Sequence, residues 1–155
     1  MARILVIDDD LAVRNAIRLI LQNKGHRVVV AEGGQSGVEA IESYAFDAVI
    51  VDIFMPGMDG LQTIRCLRER AQKVAIIAMS GYAFRETSWP VPDFLKMACD
   101  LGATCSLRKP FKAWEIIRAV ETCCADVTIE EELAREIAPL AEDFVPDCSA
   151  FRGQA

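Results

Sequence analysis

The 155-residue chain sets 17 Lys and Arg against 23 Asp and Glu, a formal net charge of −6, and lacks the clustered cations that a nucleic-acid backbone requires. No apolar run approaches the ~20 residues of a membrane-spanning helix, and the strand-like pattern that follows Met1-Ala2-Arg3 leaves no room for a signal peptide. The expectation is one domain with a short appendage, in a cytoplasmic protein with neither a nucleic-acid nor a membrane partner.

The first predicted strand is Ile4-Leu5-Val6-Ile7, which ends in three acids, Asp8, Asp9 and Asp10. Val13, Ile17, Ile20 and Leu21 then recur at helical spacing, with Asp10 placed to cap the helix and Gly25 to end it. Val28-Val29-Val30 is the second strand. A weaker helix over 34–43 turns Val38 and Ile41 inward, at a cost of about 1 kcal/mol for each glycine that falls inside it.

Ala48-Val49-Ile50-Val51 is short, β-branched and apolar, as expected of a strand buried on both faces of a parallel sheet. It stops at Asp52, and Phe54-Met55-Pro56-Gly57-Met58-Asp59-Gly60 can continue neither a strand nor a helix. A helix from 61 to 69 follows, with Ile64 and Leu67 inward. Val74 to Met79 is a fourth strand, ending at Ser80-Gly81.

The segment from Tyr82 to Pro92 is long and irregular, since Pro90 and Pro92 forbid a regular helix there. Phe94, Leu95, Ala98 and Leu101 mark the next helix, closed by Gly102. Thr104 to Leu107 is a fifth strand, and Lys109-Pro110-Phe111 leads into a helix that uses Trp114, Ile117 and Val120. Five successive βα units predict a parallel sheet wrapped on both faces by helices, without fixing the strand order. After 124 the character changes. Thr128 and Glu131 form a capping box, and Ile129, Leu133, Ile137 and Leu140 make a helical stripe with an acidic opposite face. Residues 125–155 are expected to be a helical extension or partly ordered tail that packs back on the 1–124 domain or makes a dimer or partner contact.

The six cysteines include no CxxC pair, and His26 is the only histidine, so a zinc site is not expected. Cys66 and Cys105 stand in apolar surroundings and read as small core residues. Of the adjacent Cys123 and Cys124, at most one can face the core; a redox role for that pair is the alternative.

In a parallel sheet the strand ends converge on one edge, which gathers Asp8, Asp9, Asp52, Ser80 and Lys109. Three close carboxylates repel one another unless a cation sits between them, and an all-oxygen set suits Mg²⁺. A Mg²⁺ ion and the Lys109 ammonium would together neutralise an incoming phosphoryl group, and a carboxylate beside them can attack phosphorus to give an acyl phosphate. The Ser80 hydroxyl could bond a phosphoryl oxygen.

With these motifs in register, the chain resembles a response-regulator receiver domain of two-component signalling, of the stand-alone type. The resemblance rests on ILVIDDD at 4–10, VDIFMPGMDG at 51–60, AMSG at 78–81, LGA at 101–103 and KPF at 109–111, and covers roughly residues 2 to 124. It implies a doubly wound, flavodoxin-like (CheY-like) five-stranded parallel sheet in the order 2-1-3-4-5. It also implies that Asp52 is the phosphoacceptor for a sensor histidine kinase or a histidine phosphotransfer protein. Asp8, Asp9, Asp52 and the backbone carbonyl of Phe54 would hold Mg²⁺. Ser80 and Lys109 would read the phosphoryl group and relay it to a downstream partner at the face of the fourth helix, fifth strand and fifth helix. No output enzyme is implied, and a homodimer is a possible signalling form.

Two departures stand out. The family usually has an aromatic three residues before Lys109, where this chain has Ser106; the Phe84- and Trp89-bearing loop is expected either to take over its switching role or to be an ornamental loop with Trp89 packed on the surface. The resemblance implies that the positions of Phe54 and Tyr82 flank the path of attacking water, and their bulky rings predict slow loss of the phosphoryl group. Two rivals remain: a receiver-like interaction module that does not use phosphate, and a haloacid-dehalogenase-like phosphatase with Asp8 as nucleophile and Asp10 as acid and base.

Overall fold

The computed structural model describes residues 1–81 and 92–125. The expectations for Tyr82, Phe84, Trp89, Cys148 and the helical stripe after Thr128 lie outside the described residues. Within them the elements alternate as β1 (Arg3–Ile7), α1 (Leu11–Gln22), β2 (Arg27–Ala31), α2 (Gly34–Ser43), β3 (Ala48–Asp52), α3 (Gly60–Arg70), β4 (Ala75–Ser80), α4 (Phe94–Asp100) and β5 (Cys105–Arg108). A last helix, α5, occupies 113–125. All strand pairs are parallel, in the order β2-β1-β3-β4-β5.

Alternation along each strand splits the interior into two cores. Leu5, Ile7, Val49, Val51 and Ile76 face Ile64, Leu67 and Ala98 from α3 and α4. Ile4, Val6, Ile50, Ile77 and Met79 face Ile17 and Leu21 of α1 and Ile116, Val120 and Cys123 of α5. β3 and β4 are buried throughout, as their unbroken apolar runs predict. Each fully buried Ile or Leu among them contributes roughly 1.5–3 kcal/mol.

Two inward assignments change. On α5 the buried positions are Ile116, Val120 and Cys123, while Trp114 is 56 % exposed and Ile117 half-buried. The spacing 116-120-123 is as helical as 114-117-120, and the sheet selects the face. Cys66 and Cys105 are half-buried rather than full core residues.

The glycines that weaken α2 by propensity are required by packing. A side chain at Gly37 would collide with Ile7 of β1, and one at Gly34 with Thr63 of α3. Ser36 closes the start of the helix, its Oγ accepting from Gly33 N at 3.2 Å and donating to Gly33 O at 3.0 Å. Arg68 on α3 ties three segments together: its guanidinium donates to the carbonyls of Gly102 (2.7 Å), Val74 (2.7 Å) and Gln72 (2.9 Å). It thus joins α3 to the entrance of β4 and the turn before β5.

Candidate functional site

The site lies at the carboxyl edge of β1, β3, β4 and β5, where the chain leaves the sheet and side chains reach past its edge. Asp8 directly follows β1, and its Oδ1 accepts from Asp10 N at 2.9 Å. Asp52 is the last residue of β3, and its Oδ1 accepts from Phe54 N at 3.3 Å. Asp8 is fully buried and Asp52 is 6 % exposed, whereas Asp9 is exposed. One carboxylate oxygen from each of the three can be chosen so that all lie within 4.8 Å of one another.

The turn after Asp52 is held tight. Gly60 N donates to Ile53 O at 2.8 Å, and a Cβ at Gly60 would run into the backbone of Asp52 and Ile53. Asp59 caps α3, accepting from Gln62 N at 2.9 Å. The MPGMDG turn therefore brings a helix start against the strand end that carries Asp52.

Lys109 supplies the compensating charge. Its Nζ lies 2.8 Å from Asp8 Oδ2 and 3.4 Å from Asp52 Oδ2. The residue is held by its own backbone, Lys109 N donating to Ser80 O at 2.7 Å. Its side chain passes Gly81, where an added Cβ would stand 3.3 Å from Lys109 Cδ. Ser80 is buried at the end of β4, opposite Arg108 in the register.

The charges at the site do not balance. Burial raises the Asp52 carboxyl above its ordinary range; Lys109 pulls it down and Asp8 pushes it up again, with a net rise. For Lys109, burial disfavours the ammonium, but the bond to Asp8 and the charge of Asp52 outweigh it and its pKa rises. One ammonium among three carboxylates leaves negative charge in excess. The donor set, all oxygen and partly solvent-facing through Asp9, fits a hard divalent cation such as Mg²⁺.

Some contributors escape sequence reading. Arg14, buried in α1, donates from Nη1 to Asp8 O at 2.6 Å and Asp9 O at 3.1 Å, bracing the backbone of the acidic pair. Its only sequence signal is a cation at an inward position of the α1 stripe. Gly81 matters for the space it leaves to Lys109. Phe54 is half-buried and packs edge-to-face on Phe94 of α4, ring centroids 5.0 Å apart. Asp10 takes no part in the cluster: its Oδ1 accepts from Ala12 N at 2.8 Å and Val13 N at 3.3 Å, capping α1. Ser106 is exposed on β5, beside Ala78.

The strand order β2-β1-β3-β4-β5 and the acidic cluster with Lys109 at its carboxyl edge are the arrangement expected of a doubly wound receiver domain. The family of response regulator receiver domains matches residues 4–121, and the chain belongs to it; it is a receiver domain of two-component systems. It is 28 % identical over 145 residues to the transcriptional regulatory protein FixJ of Bradyrhizobium diazoefficiens, covering 89 % of this chain and 67 % of FixJ. It is 33 % identical over 134 residues to the response regulator MprA of Mycobacterium ulcerans, covering 86 % of this chain and 55 % of MprA. The chain thus spans about half to two thirds of the curated relatives it matches. Among solved structures, a response regulator receiver domain protein from Clostridium thermocellum superposes with a TM-score of 0.74 at 26 % identity, covering 83 % of this chain and 98 % of that one. No helix among the described residues is long and apolar enough to cross a membrane.

Proposed function

We propose that this chain is a cytoplasmic phosphoacceptor response regulator, with Asp52 as the acceptor and residues 1–124 as the receiver unit. The observation that carries it is the contact of the Lys109 ammonium with both Asp8 and Asp52 at the edge where Ser80 ends β4. Asp52 Oδ attacks phosphorus of a phosphohistidine on a sensor kinase or phosphotransfer protein. The N–P bond breaks, and the imidazole leaves and takes up a proton. Lys109 offsets charge on the phosphoryl oxygens and Ser80 donates to one of them. Asp8, Asp9, Asp52 and the Phe54 carbonyl are the proposed holders of Mg²⁺, which when bound would neutralise further charge on the phosphoryl group.

The output is phosphorylation-dependent docking of a protein partner on the face of α4, β5 and α5, or onward transfer to a histidine phosphotransfer protein. Trp114 supplies exposed apolar area beside β5 on that face. The commitment of the Asp10 carboxylate to the α1 cap disfavours the phosphatase alternative, which needs it as a free acid and base.

Acetyl phosphate with Mg²⁺, followed by borohydride trapping and peptide mapping, is expected to place the label on Asp52. Label on Asp8 instead would overturn the assignment in favour of the phosphatase reading. The lifetime of the product tests the water path. Phe54, fixed against Phe94, presents an apolar ring that neither orients nor admits water. Phe54→Asn is therefore expected to speed dephosphorylation on the order of tenfold, since one added hydrogen bond to the attacking water contributes ~1 kcal/mol or slightly more. An unchanged decay rate of the labelled protein would remove Phe54 from the mechanism.

A further inference from the structure

On the far side of the second core, two thiols distant in sequence meet. Cys105 opens β5 and Cys123 lies on α5, and their Sγ atoms are 3.2 Å apart. A disulfide bond is about 2.05 Å long, so closing it needs an approach of only ~1 Å between a sheet-edge strand and the helix packed on it. The two residues share the wall of a groove of about 290 Å³, which Leu107, Trp114, Arg118 and Thr122 also line. The groove is open to solvent, so a small oxidant can reach Cys105, which is half-buried, while Cys123 stands behind it at 2 % exposure.

We propose that Cys105 and Cys123 form an oxidant-modifiable pair, which a hydroperoxide entering this groove converts to an intramolecular disulfide joining β5 to α5. Cys105 is the more accessible of the two thiols, and its hydrogen bond with Cys123 lowers its pKa against the opposing effect of burial, so Cys105 is the first to react. It takes the distal oxygen of the hydroperoxide to become a sulfenic acid, and the alcohol (or water, from hydrogen peroxide) leaves with a proton. Cys123 then displaces the sulfenic hydroxyl, which leaves as water, and the S–S bond forms. Two thiols are oxidised by two electrons and one peroxide bond is reduced; a dithiol reductant reverses the change. Burial, with Asp47 nearby, raises the pKa of the neighbouring Cys124. Cys99, exposed at the end of α4, is the competing partner. The disulfide would fix β5 against the helix with which it forms the proposed docking face, independently of Asp52.

The test uses the full chain, reduced, freed of reductant and treated with hydrogen peroxide before alkylation. Two of the six thiols are expected to become resistant to alkylation, with the loss of two hydrogens from the monomer mass and recovery in dithiothreitol. Because Cys99 lies close to Cys105 in the chain, and Cys124 beside Cys123, variants decide the pairing. Cys99→Ser and Cys124→Ser are expected to keep the crosslink, and Cys105→Ser and Cys123→Ser each to lose it. Loss of the crosslink in Cys99→Ser or Cys124→Ser, crosslinks only between chains, or oxidation of Cys99 while Cys105 stays alkylatable would each overturn the proposal. Peptide mapping of the crosslink in the wild-type chain identifies the paired thiols whether or not any variant folds.

Discussion

Asp52→Asn is expected to abolish phosphoryl uptake from acetyl phosphate and, at neutral pH, to raise the midpoint of thermal unfolding. The two effects have one cause. Asp52 is buried beside Asp8, and its carboxyl is pushed above the ordinary value of 3.8, first by burial and then by the Asp8 charge, with Lys109 compensating only in part. The folded chain therefore holds the Asp52 proton more tightly than the unfolded chain does. Between the ordinary value and the raised folded value, stability falls as pH rises, and above that range the cost of the buried charge is carried in full. An amide removes the charge, the nucleophile and this pH dependence together. The 2.8 Å bond from Lys109 to Asp8 does not depend on the Asp52 charge and is expected to persist in the variant. Melts of both proteins across pH 3.5 to 7 check this; a variant that melts lower at pH 7 with an unchanged pH slope would contradict the electrostatic account.

Lys109→Ala is expected to destabilise the domain by about 2–4 kcal/mol, because it strips the ammonium from two buried carboxylates. Lys109 is itself about one-fifth exposed, which keeps the figure toward the lower end. Here stability is lost on the alkaline side. The Lys109 pKa rises above its ordinary 10.5, so its stabilisation is complete below that value and is lost as pH climbs through the raised folded value. The variant should lack this alkaline loss. It should also respond more strongly to Mg²⁺ than the wild-type chain, since Asp8, Asp9 and Asp52 are left with no ammonium among them. At a hundred times the dissociation constant, binding to the folded state alone contributes ~2.7 kcal/mol. Urea unfolding with and without Mg²⁺ measures both effects. Equal responses to Mg²⁺ in the two proteins would mean that the cation and Lys109 do not share the carboxylate cluster.

How much of the fold and site is legible in the chain follows from where each signal resides. β1, β3 and β4 are apolar runs terminated by Asp8, Asp52 and Ser80, so their burial and the residues at their ends are written in consecutive positions. Asp10 and Asp59 cap helices for the same local reason, a short acceptor two or three residues before free backbone N–H groups. Trp114 reads as inward because its helix has two plausible apolar stripes, and only the sheet beneath it distinguishes them. Arg68 looks like a surface cation until the carbonyls of Gly102 and Val74 are found within reach, and the inward Arg14 has no evident purpose until those of Asp8 and Asp9 are.

The alternating βα pattern, the parallel sheet and the set of carboxylates, hydroxyl and lysine at its edge follow from the amino-acid order alone, because each depends on hydrophobic period and strand termination, which are local. Other features exist only once the chain is folded: Lys109 bridges Asp8 and Asp52, Gly37 and Gly60 are small because β1 and β3 press on them, and Cys105 meets Cys123. Each is set by the strand order and by which face of a helix meets the sheet, and neither is encoded in the spacing of any single segment.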